Sequence, residues 1–298
     1  MPRSLAFILL ALLACAPSPA PSGSAVGASS VRFVTWNVHD LFDEIDQLTP
    51  PSDADTVLAP AEVEAKLQRV GDVLRRLDAD AVVLQEVENL ELLERLTHGP
   101  LAGLGYEAAL AEGRDPRGID VGLLTRLPIE AYRSHLAERD ARGGFLWARD
   151  LAEVRLGGAA RPVVLIGAHL VSRLDPANDA RREEQAARAR QVMEVARAGD
   201  RDAFILLLGD LNDLPGSPSL APLLGDRAIA DLGAVLDLAQ AWTWTGGGSQ
   251  ERIDYALLFR EDAGTITAVA VAGGADVAAA SDHRPLVVDV WFPTRSGP

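Results

Sequence analysis

Residues 204–217 read Phe-Ile-Leu-Leu-Leu-Gly-Asp-Leu-Asn-Asp-Leu-Pro-Gly-Ser. Five apolar residues in a row suit a buried strand, and the closing Pro-Gly-Ser marks a turn. Between them stand Asp210, Asn212 and Asp213. A rigid apolar stem therefore ends in oxygen-bearing side chains, the kind of place where sites concentrate.

The same arrangement recurs outward along the chain. Thr35-Trp36-Asn37-Val38-His39 ends an apolar run at 31–38, Gln85-Glu86-Val87-Glu88 ends one at 81–84, and Gly118-Ile119-Asp120 opens one at 121–124. Ala168-His169-Leu170 ends the run at 163–168, Arg252-Ile253-Asp254-Tyr255 opens the run at 253–259, and Ser281-Asp282-His283-Arg284 precedes the run at 286–292. With 151–156 and 265–271 these make nine predicted strands, many for a simple doubly wound sheet. Amphipathic segments lie between them, which predicts an α/β chain. Val63, Leu67, Val70, Leu74 and Leu77 recur at helical spacing, and a second helix is expected over 179–198 with Ala186, Ala189, Met193 and Ala196 as its apolar stripe. The run Arg181-Arg182-Glu183-Glu184 at its start reads as a solvated face, with contact of the arginine pair to a phosphate near a site as the alternative.

At 298 residues the chain is long enough for a sizeable core, and 48% apolar against 24% charged residues is a globular balance. A net charge of −15 and only 5% aromatic residues argue against tight, sequence-independent binding of nucleic acid. The single cysteine, Cys15, excludes an intrachain disulfide framework and a cysteine-based zinc site.

Cys15 closes an apolar stretch that follows Arg3 and is too short to span a bilayer. Leu12-Leu13-Ala14-Cys15 resembles the bacterial lipobox, which implies a signal peptide at 1–14 and a lipid on Cys15; ordinary secretion with cleavage among the small residues up to Ala20 is the other reading. Both readings export the protein, to the cell envelope or in soluble form. Residues 15–30 are otherwise free of charge and rich in Pro, Ser, Gly and Ala, the make-up of a tether. One domain is expected over 31–298, as a monomer.

If Glu86, Asp210, Asp254 and Asp282 converge, their repulsion is large: about 4 kcal/mol for two carboxylates at ~4 Å and an effective dielectric near 20. A divalent cation relieves it. Oxygen donors of this kind select Mg2+ or Mn2+ over zinc. His169 and His283 add donors suited to the nonbridging oxygens of a phosphate ester, so the set fits phosphoryl transfer to water.

These segments, in this order, resemble the endonuclease/exonuclease/phosphatase superfamily, most specifically in TWNVH, QEVEN, GDLND with PGS, RIDY and SDHRP. The resemblance implies a four-layer α/β sandwich, two mixed β-sheets packed face to face and flanked by helices (DNase I-like), and metal-dependent hydrolysis of phosphate esters. It implies that Glu86 is the principal metal ligand with Asn37 beside it, and that Asp282 either completes the metal environment or orients His283. Asp210 would position or deprotonate the attacking water, Asn212 would bind the scissile phosphate, and His283 would stabilise its developing charge. His169 would be the second imidazole with Asp120 fixing its ring, and Asp254 an acid supporting the site from behind. One metal or two are both compatible.

His39, His98 and His135 are expected to be structural, and Trp36 to be core. Trp242 and Trp244 would share one strand face, with a substrate groove as the alternative to packing. Relatives often carry a lysine where this chain has Val171, and Arg149 and Arg173 are the candidates to replace it. The expected partner is a phosphate-ester substrate. Extracellular DNA or RNA is the first choice, a phospholipid headgroup or small phosphorylated metabolite the second. A catalytically silent relative that only binds such a ligand is the competing class.

Overall fold

The computed structural model of the chain describes residues 30–46, 56–237 and 239–293. The leader, Cys15 and the tether lie outside the described residues, and no described helix is long and apolar enough to cross a membrane.

In chain order the strands and helices are β1 (Ser30–Leu41), α1 (Pro60–Leu77), β2 (Ala81–Val87), α2 (Leu90–His98), β3 (Glu107–Leu110), β4 (Asp120–Thr125), β5 (Ile129–Arg133), β6 (Ala152–Leu156), β7 (Val163–His169), α3 (Asp179–Gly199), β8 (Phe204–Asp210), α4 (Ala221–Leu224), β9 (Ile229–Asp231), β10 (Trp244–Gly246), β11 (Ser249–Glu251), β12 (Asp254–Phe259), β13 (Ile266–Val271), α5 (Ala275–Ala280) and β14 (Leu286–Trp291). All nine expected strands form. β3 and β5 are short edge strands of mixed, half-exposed residues, β9 is a buried edge strand of three residues, and β10–β11 is a separate hairpin.

Two six-stranded sheets run β13-β14-β1-β2-β4-β3 and β5-β6-β7-β8-β12-β9. Each is mixed: β1–β2 and β7–β8 are parallel, and their other neighbours are antiparallel. Val31, Phe33 and Val83 of the first sheet pack against Leu165, Phe204 and Leu206 of the second, while α1, α2 and α5 cover one outer face and α3 and α4 the other. The result is the expected four-layer sandwich. Phe33 and Phe204 stack across the sheets at 6.2 Å, and removing either ring would cost about 3–5 kcal/mol.

Alternation along the strands places the site. In β1, Val34, Trp36 and Val38 face the helices, and Val31 and Phe33 face the other sheet. Continuing that inner face by twos reaches Thr35 and Asn37. The same count carries Phe204, Leu206 and Leu208 to Asp210, and Leu258 and Ala256 back to Asp254. Register sets His169 and Asp254 on either side of Asp210. The inter-sheet core thus runs out, at one end, into buried polar groups.

Candidate active site

Two irregularities shape the mouth. β1 slips register between Asn37 and Leu41, and β2 between Gln85 and Val87. His39, Asp40 and Glu86 sit in these bulges with φ of 55°, 56° and 63°, and Asn212 has φ 54°. Among the described residues only Asp78, at the end of α1, shares this conformation without being glycine. Left-handed backbone disfavours residues with a Cβ and persists where surrounding contacts impose it, most often at sites. Here it re-aims side chains that regular alternation would have sent elsewhere.

Asn37 is the hub. Its Nδ2 donates to Glu86 Oε1 and Asp210 Oδ2, both at 3.1 Å, and its Oδ1 accepts from the His39 N–H at 2.9 Å. Asp210 Oδ1 accepts from the Asn212 N–H at 2.8 Å, and the Asn212 amide donates to the Leu170 carbonyl at 3.0 Å. His283 pairs its Nδ1 with Asp254 Oδ2 at 2.9 Å, and its Nε2 lies 3.9 Å from Asp210 Oδ2. His169 Nε2 lies 3.7 Å from the same oxygen. Ser281 Oγ donates to the Asn37 carbonyl and accepts from the His283 N–H, and Trp36 Nε1 donates to the His283 carbonyl. Trp36 is core, as expected, and also fixes this loop.

A cleft of about 530 Å³ opens on these groups, lined by Glu86, His169, Asp210, Asn212, Asp282 and His283 among others. A larger groove of about 640 Å³ lies between the β9 and β13 edges, but it contains none of this cluster, so the smaller cleft is the site.

A family model described as the Endonuclease/Exonuclease/phosphatase family matches residues 34–283. The chain belongs to this family. No curated protein matches the sequence. Among solved structures, the human Nocturnin catalytic domain with bound sulfate is similar at 16% identity and a TM-score of 0.66, over 89% of this chain and 96% of that one. D. rerio TDP2 complexed with a single-strand DNA product is similar at 18% identity and 0.63, over 88% and 98%. ANGEL2, a 2',3'-cyclic phosphatase in complex with adenosine-2',3'-vanadate, is similar at 13% identity and 0.62, over 87% and 95%.

Within this endonuclease/exonuclease/phosphatase domain, several expectations change. Asp120 does not fix His169: its Oδ2 accepts from the Gly113 N–H at 2.8 Å and its Oδ1 has no hydrogen-bond partner. The His169 ring faces Arg149, whose Nη1 is 3.1 Å from Nε2. Orienting His283 falls to Asp254, because Asp282 instead accepts from Trp244 Nε1 at 2.9 Å and faces His39 Nδ1 at 3.2 Å. His39 lines the cleft; its position beyond a bulge is invisible to strand alternation. His98 lies at the end of α2, bonded to the Glu94 carbonyl, and His135 is held by Glu138 and Glu153. Trp244 lines the cleft, whereas Trp242 lies under the Arg284 guanidinium at 4.2 Å. The charge run of α3 is not simply solvated: Arg182 is buried against Asp213 and Asp179, and Arg181 reaches the cleft.

The family's dependence on metal can be tested against the donor set. Ligand atoms of His39, Asp40 and Glu86 lie within 4.8 Å of one another, as do those of Asp210, Asp254 and His283. Asp40 Oδ1 and Asp282 Oδ1 make no well-formed hydrogen bond, their nearest cationic neighbours being Arg117 at 3.6 Å and the His39 ring at 3.2 Å, which leaves them able to meet a cation at the mouth. Burial and the Glu86 charge push the Asp40 carboxyl up. Burial opposes ionisation of Glu86 too, but the Asn37 hydrogen bond and Arg117 outweigh it and hold that carboxyl below its usual range. In the second group, burial and the Asp254 charge push Asp210 up to about 7. Burial opposes protonation of His283, yet Asp254 raises it to about 9. Burial and the Arg149 charge keep His169 well below its usual value, so it is neutral. The site thus holds a carboxylate poised near neutrality with an imidazolium and a neutral imidazole each within 4 Å of its Oδ2.

Proposed function

We propose that this family member hydrolyses phosphodiesters with an activated water and Mg2+, for which Mn2+ would substitute. The observation that carries the reading is the Asp254–His283–Asp210 array beside the acidic mouth at Glu86. Glu86 would hold the ion with Asp40 or Asp282 contributing, and Asn37 beside them. When bound, the ion polarises the phosphoryl oxygens and offsets the charge that develops on them. Asp254 keeps the proton on His283 Nδ1, so Nε2–H is the donor to a nonbridging oxygen. Asp210, anchored by Asn37 and Asn212, takes the proton of the attacking water, and its value near 7 suits that task. Asn212 and neutral His169 position the ester.

We further propose signal peptide, lipidated tether and catalytic domain at 1–14, 15–30 and 31–298, placing the enzyme at the cell envelope as a monomer. Ser30 begins β1 and Asn37 lies seven residues on, about 23 Å at strand rise, so the tether joins the end of the domain away from the site. A mouth directed away from the attachment point favours a soluble substrate over a lipid headgroup, and extracellular DNA or RNA is our choice. The DNA product held by a structural neighbour is in keeping with it. The test incubates the protein with plasmid DNA, RNA, sphingomyelin and phosphate monoesters under Mg2+. Cleavage confined to lipid or monoester removes the nuclease assignment, and turnover of none, including bis-p-nitrophenyl phosphate, removes the enzyme.

A further inference from the structure

In a chain of net charge −15, the cleft is lined by four arginines, Arg117, Arg149, Arg173 and Arg181. Three of them have carboxylate partners and Arg181 has none among the described residues. Arg173 is paired with Glu251. Arg149 and Arg117 share Asp115, at 3.5 and 3.7 Å, and Arg117 also lies 3.6 Å from Asp40 and 4.0 Å from Glu86. Arg149 is only 6% exposed: its Nε meets Asp115 at that 3.5 Å, and its Nη1 and Nη2 face the His169 ring and the Leu170 carbonyl. Arg181 has no ion pair among the described residues: its Nε and Nη2 donate to the carbonyls of Leu146 and Phe145 at 3.1 and 2.8 Å. A guanidinium whose donors meet only neutral carbonyls keeps its charge available to an incoming anion.

The arginines continue past the cleft. Arg114 and Arg139 lie over the Phe145 ring at 3.8 and 3.6 Å, and neither forms an ion pair among the described residues. Arg181 is bonded to the carbonyl of that same Phe145. The Phe145 ring therefore holds two guanidinium groups and its backbone carbonyl a third, each with N–H donors left over. One scissile phosphate and one ion account for the acidic mouth, but they leave this strip without a counter-anion.

We infer that the strip is a phosphate track: Arg149 and Arg181 hold the phosphate next to the scissile one, and Arg114 and Arg139 lead a nucleic-acid strand out over Phe145. The inference rests on the phosphodiesterase reading above and names its substrate as a chain of phosphates. Contacts to backbone phosphate carry no base information, so the track predicts binding without sequence preference.

The test uses the full chain and two readouts. With Mg2+, kcat/KM is compared for a thymidine dinucleotide with and without a 5′-phosphate; the added phosphate should raise it about tenfold, chiefly through KM, and Arg181→Ala should erase most of that ratio. In EDTA, binding of a thymidine decanucleotide should weaken steeply with salt, and Arg139→Ala, at an exposed position, should reduce both affinity and salt slope. Inorganic pyrophosphate is the control for a compact diphosphate ligand. A decanucleotide that binds no more tightly than pyrophosphate, or whose binding ignores Arg139→Ala, overturns the track. Because the binding arm needs no turnover, an inactive protein that still binds the strand through these arginines sinks the hydrolase reading and leaves the track intact.

Discussion

The ammonium nitrogen of Lys66 lies 2.7 Å from the carbonyl oxygen of His39. It is also 2.7 Å from the carbonyl of Ala280, the last residue of α5, so it ties the β1 bulge to the segment that carries Asp282 and His283. Lys66 is the only lysine of the chain, and burial with the nearby Arg69 charge lowers it to about 8. A compact ammonium meets two converging carbonyls where a planar guanidinium would not. Lys66→Met should cost about 2–4 kcal/mol of stability by leaving both carbonyls unpaired. Lys66→Arg should fail to restore it. A denaturation midpoint unchanged in both variants would show the tie to be idle.

The acidic mouth makes activity contingent on a divalent ion. EDTA should abolish hydrolysis of bis-p-nitrophenyl phosphate and Mg2+ or Mn2+ should restore it. Glu86→Gln should lower the rate by about 100-fold or more and raise the Mg2+ concentration for half-activation. Full turnover in EDTA would contradict the scheme.

Asp210 must be ionised and His283 protonated for the proposed chemistry. Their values of about 7 and about 9 give a kcat/KM that rises through the first and falls through the second, with a maximum near pH 8. Asp254→Asn removes the charge that raises His283, so its alkaline limb should move toward lower pH. A profile flat from pH 6 to 10 would falsify the assignment.

His135 has a structural consequence of its own. Burial disfavours its charge, but hydrogen bonds to Glu153 and Glu138 raise it above its ordinary value. The folded state therefore binds the proton more tightly than the unfolded chain. That stabilisation is complete below the unfolded value of about 6.5 and is lost as pH rises through the folded one. Thermal unfolding of His135→Gln should lose the corresponding slope. Identical pH dependence of the two proteins would exclude the effect.

Anchoring depends on Cys15. Cys15→Ser should abolish incorporation of labelled fatty acid and move the protein from the membrane fraction to the soluble one or leave it unprocessed, because stable attachment requires more than one acyl chain. Equal labelling of parent and variant would remove the lipidation reading.

The nine buried or half-buried strands were legible because an inter-sheet core demands long apolar runs, and each run stops where its last side chain turns polar. Asn37, His169, Asp210 and Asp254 could be picked out that way, since alternation along a strand is local. The strands β3, β5 and β9 could not, because β3 and β5 are half-exposed and β9 is only three residues long, too short for a period to show. Nor could the partners of the site. Asp254 rather than Asp282 holds His283, a pairing of β12 with the segment before β14, and Gly113 rather than His169 meets Asp120, a loop contact that leaves no mark in residue type. His39 and Asp40 enter the cleft through bulges, which break the very periodicity a sequence reader relies on. Sequence by itself determined the layered α/β architecture and the inventory of chemical groups, through hydrophobic period and residue type. Tertiary structure alone decided which acid faces which base and gathered Arg149 and Arg181 into one cleft, because hydrogen bonds and charge pairs depend on distances that only the packed sheets fix.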